Sequence, residues 1–256
     1  MTDAEARSIT VGADVAARDI AIRTRAGSGR GILFLGGFKS DMRGTKAEAL
    51  DAFAAASGRA FTRFDYSGHG SSGGAFTDGT ISRWLEEAAA VLDTAPGAPL
   101  VLVGSSMGGW IALLLALAEA RSGRRRISGL VLLAPAVDMT HRLILPAMTE
   151  AARAELAATG VFRQPSDYSD DPYLITQTLI TDGELHLLGG TALSIGVPVH
   201  IIQGARDTDV PFDHALDLFA QLCEDDVVLT LIKDGDHRLS RAQDLDKIIA
   251  AVEAIG

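Results

Sequence analysis

Residues 100–120 read LVLVGSSMGGWIALLLALAEA, and this stretch decides the fold. An apolar run, a G-x-S-x-G pentapeptide at residues 104–108 and a helix-period stretch in this order predict a strand, a sharp turn and a helix. The glycines permit a turn that exposes the Ser106 hydroxyl and aims the Met107 N–H at a developing oxyanion. Because the pentapeptide alone also occurs by chance, this interpretation as a nucleophile elbow depends on the strands and polar residues around it.

Around this segment, short apolar runs alternate with amphipathic helical stretches, as in a mostly parallel sheet covered by helices on both faces. Two period-two stretches, Ser8–Val11 and Ile20–Thr24, predict an antiparallel hairpin at the sheet edge. We therefore expect one α/β domain over residues 1–256 with an eight-stranded sheet. The other predicted strands are residues 31–35, 60–64, 100–103, 129–133, 197–202 and 227–232.

The alternation stops between residues 138 and 196, where helical and irregular segments occur and no convincing strand is found. A structureless loop of this length is unusual in a compact domain. We therefore predict an inserted helical lid over the carboxyl edge of the sheet, where it would decide substrate selectivity.

Composition argues against several classes of partner. The chain has 23 Lys and Arg against 33 Asp and Glu, and its net charge of -10 disfavours nucleic acid and anionic membranes. The longest apolar stretch, Trp110–Ala118, is too short to span a bilayer. Residues 1–7 lack the layout of a secretory signal, and the single cysteine, Cys223, excludes an intrachain disulfide. These features predict a cytoplasmic protein, and the apolar pattern around Cys223 predicts that it packs in the core; the oligomeric state is left open.

A serine hydroxyl needs a base to remove its proton and a carboxylate to orient that base. His237 follows the predicted last strand, which is the position that an elbow serine requires of its base. The acid is expected in the loop after strand 197–202, where Asp207 is favoured by position and Asp209 remains the alternative. Because such loops converge at one sheet edge, these side chains are predicted to meet near Ser106.

The loop after strand 31–35 begins with Gly36, Gly37, Phe38 and Lys39. Its glycines allow close backbone approach to a ligand, so we predict the Phe38 N–H as the second oxyanion donor beside the Met107 N–H. Gly37, Lys39 and Ser105 are predicted to contact the substrate.

No cofactor or metal is expected. Residues 68–73 contain G-x-G-x-x-G around His69, but more loop follows where a dinucleotide fingerprint would open a helix. The remaining histidines do not form a cluster with cysteine or carboxylates at metal-ligand spacing, and we interpret them as structural. They are His141, His186, His200 and His214.

Several sequence blocks in the same order resemble one branch of the α/β-hydrolase superfamily, the branch of α/β-hydrolase domain-containing protein ten. The similarity covers most of the chain, from about Gly31 to the last helix. The blocks are residues 44–47, 63–68, 104–110, 160–162, 165–169 and 236–238.

This resemblance implies a fold with a helical cap and a triad of Ser106, Asp207 and His237, with Phe38 and Met107 as oxyanion donors. It also implies removal of S-palmitoyl groups from protein cysteines or hydrolysis of acyl glucuronides. The chain departs from the branch in the charges of Lys39 and Asp41 and in lacking an organellar targeting segment, so it resembles a bacterial-type relative.

The function that we expect is hydrolysis of a small-molecule or protein-linked acyl ester or thioester through an acyl-enzyme on Ser106. Fold and triad do not choose the leaving group, so a serine peptidase or an acyltransferase is the alternative. A binding module that has lost its chemistry is a third hypothesis, disfavoured by the complete set of triad candidates.

Overall fold

The computed structural model of the protein describes residues 5–164 and 172–255, and its centre is one eight-stranded sheet. The strand order is β1-β2-β4-β3-β5-β6-β9-β10, and the six strands from β4 to β10 are parallel, as predicted. β1 and β2 form the expected antiparallel hairpin at one edge. The strands are β1 (Glu5–Val11), β2 (Arg18–Arg25), β3 (Ser28–Leu35), β4 (Arg59–Phe64), β5 (Leu100–Ser105), β6 (Ile127–Leu133), β7 (Val161–Gln164), β8 (Tyr173–Thr176), β9 (Val199–Gly204) and β10 (Val227–Ile232).

Helices cover both faces of this sheet. They are α1 (Thr45–Ser57), α2 (Ile81–Thr94), α3 (Met107–Arg121), α4 (Leu145–Ala147), α5 (Glu150–Thr159), α6 (Gln177–Gly183), α7 (Phe212–Gln221) and α8 (Ala242–Ile255). A π-helical turn, Thr140–Ile144, leads directly into α4.

Alternate residues of the central strands enter two separate cores. Leu100 and Leu102 of β5 pack on the side of α2, α3 and α7, whereas Val101 and Val103 pack on the side of α1 and α8. These side chains are completely buried, so burial of apolar surface on both faces holds the parallel strands in place. The predicted α/β fold with an eight-stranded sheet is confirmed.

The segment between β6 and β9 differs in one respect from its prediction. It contains the expected helices, α4 to α6, but also a two-stranded antiparallel hairpin of β7 and β8, where no strand was predicted. Both strands have only four residues, too few to produce a clear alternation in the sequence. A small apolar cluster around Leu156 and Ile175 packs the hairpin against α5 and α6. Residues 165–169, which carry part of the family resemblance, lie outside the described residues.

The prediction that Cys223 packs in the core is wrong. α7 ends at Gln221, so the apolar periodicity does not continue to Cys223, and its side chain is exposed. Within the described residues, no helix is both long and apolar enough to cross a membrane.

Candidate active site

Four loops meet at the carboxyl edge of the sheet, after β3, β5, β9 and β10. They carry Phe38, Ser106, Asp207 and His237, respectively. Two backbone hydrogen bonds join the last two loops, from Ala205 N–H to the carbonyl of Ile232 and from Arg206 N–H to that of Gly235. Parallel strands direct these loops to one edge, and the backbone contacts then fix the distance between Asp207 and His237.

Ser106 lies at the sharp turn between β5 and α3 with φ 55° and ψ -119°. A positive φ is unfavourable for a residue with a side chain, so the surrounding structure must hold it. The Ser106 N–H donates to the carbonyl of Leu133 at 2.9 Å, and the Ser106 carbonyl accepts from Ala136 N–H at 3.1 Å. The end of β6 therefore clamps the turn that the pentapeptide predicts.

The structure brings together the three side chains predicted to form a triad. The Ser106 Oγ lies 3.1 Å from His237 Nε2, and His237 Nδ1 lies 2.8 Å from Asp207 Oδ2. Since a carboxylate only accepts, Nδ1 carries a proton, which leaves Nε2 of the neutral ring as the acceptor for the serine hydroxyl. In this arrangement the imidazole can take the Ser106 proton.

Four donors hold the Asp207 carboxylate. Its Oδ1 accepts from the N–H groups of Asp209 and Val210, and its Oδ2 accepts from His237 and from the Gln203 side-chain amide at 3.0 Å. Gln203 is completely buried in β9, and sequence reasoning missed it, because a glutamine inside an apolar strand carries no functional signature. Asp207, rather than its alternative Asp209, therefore has the geometry of the orienting acid.

Donor atoms of Asp207, Asp209 and His237 also lie within 4.8 Å of one another, a spacing that could hold a metal ion. His237 Nδ1 and Asp207 Oδ2 are already hydrogen-bonded to each other. A metal on His237 Nδ1 would displace this hydrogen bond, so the geometry favours proton transfer over metal binding at this position.

The two N–H groups predicted as oxyanion donors lie beside Ser106. Met107 opens α3, so its N–H is one of the first four of the helix that have no acceptor within it. A Cβ built on Gly37 would be 3.3 Å from the Ser106 Cβ, so the loop carrying Phe38 runs directly over the serine. Among the described residues, neither the N–H of Phe38 nor that of Met107 has a hydrogen-bond partner, so both can donate to an oxyanion.

Ser106 and His237 line a cavity of about 540 Å³. One part of its wall is apolar and comes mostly from the segment between β6 and β9, and another part is polar. Apolar lining residues include Ala136, Met139, Leu143, Ile144, Ala147, Ile175 and Val210; polar ones include Lys39, Asp41, Thr45, Lys46, Thr208, Asp209 and Arg238. Burial lowers the pKa of Lys46 to about 8, and its ammonium donates to the Arg238 carbonyl.

Gly37, Lys39 and Ser105, the predicted substrate contacts, also line this cavity. The Lys39 Nζ donates to the Pro172 carbonyl at 3.1 Å and lies 5.4 Å from the centre of the Tyr173 ring. The charge of Lys39 is therefore directed towards the segment between β6 and β9. Substrate contact by these three residues stays a prediction.

The other histidines lie in different surroundings. His186 contacts Ser82 Oγ at 2.6 Å and His200 contacts Thr230 Oγ1 at 2.8 Å, while His214 is buried. His69, which the sequence placed only in a glycine-rich loop, is buried and accepts a hydrogen bond from Lys39 N–H beside the Phe38 loop.

A parallel sheet covered on both faces, with Ser106, His237 and Asp207 in hydrogen-bond contact at its carboxyl edge, defines the α/β-hydrolase class. The chain belongs to the α/β-hydrolase superfamily, and residues 31–178 match the family described as serine aminopeptidase, S33. It is therefore a hydrolase by family, as the sequence blocks indicate.

Comparison with individual proteins agrees with this assignment. The chain is 33% identical over 238 residues to the mitochondrial palmitoyl-protein thioesterase ABHD10 of mouse, covering 92% of this chain and 78% of the relative. The crystal structure of a putative hydrolase from Agrobacterium vitis S4 is 49% identical, with a TM-score of 0.95 and coverage of 99% of both chains. The structure of mouse alpha/beta hydrolase domain-containing protein 10 is 29% identical, with a TM-score of 0.83, and covers 97% of this chain and 98% of its own.

Proposed function

We propose that this protein is a serine hydrolase that cleaves carboxylic esters or thioesters through an acyl-enzyme on Ser106. The observation that carries the proposal is the continuous hydrogen-bonded chain from Ser106 Oγ through His237 to Asp207. These hydrogen bonds give the serine hydroxyl a base, His237, and they hold that base in a fixed orientation.

In the first half of the reaction, His237 Nε2 takes the Ser106 proton as Oγ attacks the acyl carbon. The imidazolium is stabilised by Asp207 and then donates its proton to the leaving alcohol or thiol. In the second half, His237 removes a proton from water, the hydroxide oxygen attacks the acyl carbon, and Ser106 is released with its proton restored.

The N–H groups of Phe38 and Met107 hold the negative oxygen of both tetrahedral intermediates. Each such donor contributes on the order of 3 kcal/mol to transition-state stabilisation in enzymes of this kind. Because the donors are backbone groups, no substitution of Phe38 or Met107 except by proline removes them directly.

The cavity and the relatives support a proposal for the substrate class. Apolar side chains from the segment between β6 and β9 form the part of the wall that suits an acyl chain, and the mouse relative is named a palmitoyl-protein thioesterase. This segment, residues 138–196, acts as the lid of a single domain over residues 1–256. Long-chain acyl thioesters and esters, on a small molecule or on protein cysteine, are the proposed substrates of this cytoplasmic enzyme.

The test compares Ser106→Ala with Ser122→Ala, a serine at the opposite end of α3. Hydrolysis of p-nitrophenyl esters and acyl thioesters is expected to fall by roughly 10⁴-fold or more in the first variant and to persist in the second. Mass spectrometry after reaction with a fluorophosphonate is expected to locate one adduct on Ser106. Native rates in Ser106→Ala would refute the proposal.

A peptidase is the second candidate, since the matching family is described as serine aminopeptidase. Incubation with aminoacyl p-nitroanilides decides between the two, because enzymatic turnover of these amides would favour the peptidase, whereas cleavage of esters and thioesters without cleavage of the amides would favour the esterase. An acyltransferase would divert the acyl group to an added amine or alcohol. A binding module without chemistry would fail to react with the fluorophosphonate.

A further inference from the structure

The backbone at Phe38 is held through the two peptide units on either side of this residue. The first contains the Gly37 carbonyl and the Phe38 N–H, and the second contains the Phe38 carbonyl and the Lys39 N–H. A trans peptide is planar and its C=O and N–H point in opposite directions, so holding one group of each unit fixes the other.

Ser40 holds the first unit. Its N–H and its hydroxyl both donate to the Gly37 carbonyl, at 3.2 Å and 2.8 Å. The Phe38 N–H lies in the same plane and points in the opposite direction to the Gly37 carbonyl. It therefore points away from Ser40 and stays available to an oxyanion.

His69 holds the second unit. The Lys39 N–H donates to His69 Nε2 at 3.0 Å, and the other ring nitrogen, Nδ1, lies 3.1 Å from the Ser67 carbonyl. A carbonyl can only accept, so Nδ1 carries the proton and Nε2 is the acceptor, which defines a neutral ring. Lys39 itself has a φ of 56°, a strained value that this contact helps to maintain.

The ring of His69 is fixed by its surroundings. It is 4% exposed and lies among three aromatic rings, with centroid distances of 5.9 Å to Tyr66, 5.1 Å to Phe76 and 5.4 Å to Trp84. Phe38 packs edge-on against Phe76 and Trp84 of the same cluster. Burial lowers the pKa of His69, which keeps the ring neutral and able to accept.

We propose that His69 is a positioning residue for the hydrolytic reaction, because its Nε2 holds the peptide unit that directly follows Phe38 and so helps to fix the backbone that carries the oxyanion donor. The inference rests on the proposed function, since it concerns the transition state of that reaction. His69 touches neither the acyl group nor Ser106; it acts through the backbone of Phe38 and Lys39.

The test replaces His69 by leucine, which removes the acceptor, and by glutamine, whose side-chain oxygen restores an acceptor near the position of Nε2. His69→Leu is expected to lower kcat by about 10- to 100-fold with little change in KM, because an oxyanion donor acts in the transition state. His69→Gln is expected to recover most of this loss. The control is Tyr66→Phe, which keeps an aromatic ring in the cluster and is expected to retain wild-type kcat.

A measurement on the wild-type protein keeps the inference testable if His69→Leu does not fold. The ¹⁵N spectrum of the histidine rings is expected to show His69 as the neutral Nδ1–H form throughout the pH range of activity. A protonated ring or an Nε2–H form would overturn the inference, as would wild-type kcat in folded His69→Leu or equal losses in the leucine and glutamine variants. Failure of the proposed function is seen separately, as native activity in Ser106→Ala.

Discussion

At Ser106 the backbone carries strain so that the hydroxyl can reach its base. A residue with a side chain at φ 55° is destabilised by roughly 1–3 kcal/mol. Three hydrogen bonds oppose this, one from the Ser106 N–H to Leu133 and two to the Ser106 carbonyl, from Gly109 and Ala136. A strained backbone that three hydrogen bonds keep in place indicates that the conformation of Ser106 serves function rather than stability.

The roles of the two neighbouring aspartates can be separated by substitution with asparagine. Asp207→Asn is expected to lower kcat by roughly 10⁴-fold, because the amide can donate to His237 Nδ1 and so favours the wrong tautomer. Asp209→Asn is expected to have a much smaller effect, since its backbone N–H still donates to Asp207. Steady-state kinetics on a p-nitrophenyl ester measures both, and the reverse ranking would make Asp209 the acid.

At the scale of elements, α3 must approach the sheet very closely for Ser106 to lie at the edge. A Cβ built on Gly108 would be 2.2 Å from the Leu35 carbonyl oxygen at the end of β3. This contact is with backbone, which cannot move aside without shifting the strand that leads to Phe38. The second glycine of the pentapeptide is therefore needed for packing of helix against strand.

Gly108→Ala is expected to destabilise the folded protein by about 3 kcal/mol or more, since the added methyl overlaps backbone atoms. Gly73→Ala is the matched control, because a Cβ there would lie 3.6 Å from its nearest neighbours, in ordinary contact. Its stability is expected to stay within about 1 kcal/mol of wild type. Urea unfolding followed by circular dichroism measures both, and equal stabilities would contradict the packing argument.

The π-helical turn and α4 bring Leu143 to the cavity wall, so this element is expected to control acyl-chain length. Leu143→Trp should fill part of the apolar space and lower kcat/KM for long-chain p-nitrophenyl esters by about tenfold or more, while short-chain esters react normally. Leu185→Trp, at an exposed position of the same segment, serves as the control. An unchanged chain-length profile in Leu143→Trp would mean that acyl chains bind elsewhere.

For the whole molecule, buried and half-buried histidines couple stability to pH. Burial lowers the pKa of His69, His200 and His214 in the folded protein, with Arg142 adding to the effect at His214. As pH falls through the ordinary histidine pKa of about 6.5, the unfolded chain takes up protons that the folded protein excludes. Stability is therefore fully present above that pH and is lost as the solution becomes more acid.

The temperature of half-unfolding is expected to decrease between about pH 7.5 and about pH 5.5. His214→Gln should show a shallower decrease, because glutamine does not titrate and can still donate to the Val137 carbonyl that His214 contacts. Differential scanning calorimetry across this pH range gives both slopes. Parallel slopes for the variant and the wild type would assign the pH dependence to other groups.

Much of the fold was predictable because the sequence patterns that indicate strands, helices and the sharp turn each lie within a short segment. The alternation of apolar runs and amphipathic stretches marks strands and helices by their own period, and G-x-S-x-G marks the turn by the glycines that it requires. Ser106 and His237 could be selected because each follows a recognisable strand. The short strands β7 and β8 and the exposed position of Cys223 were missed, since four residues or one helix end carry too little periodic signal.

Only the tertiary structure could decide which side chains touch. Ser106 and His237 are 131 positions apart, and Lys39 and His69 are 30 apart, so each contact depends on how whole strands and loops pack. Packing also produces the geometry that favours Asp207 over Asp209 and the hydrogen bond from the Gln203 amide to Asp207. The hydrogen bond from Lys39 N–H to His69 beside Phe38 arises in the same way. The sequence by itself determined the kind of fold and the residues available for chemistry, whereas packing of distant segments determined their partners, because hydrogen bonds depend on distance in space and not along the chain.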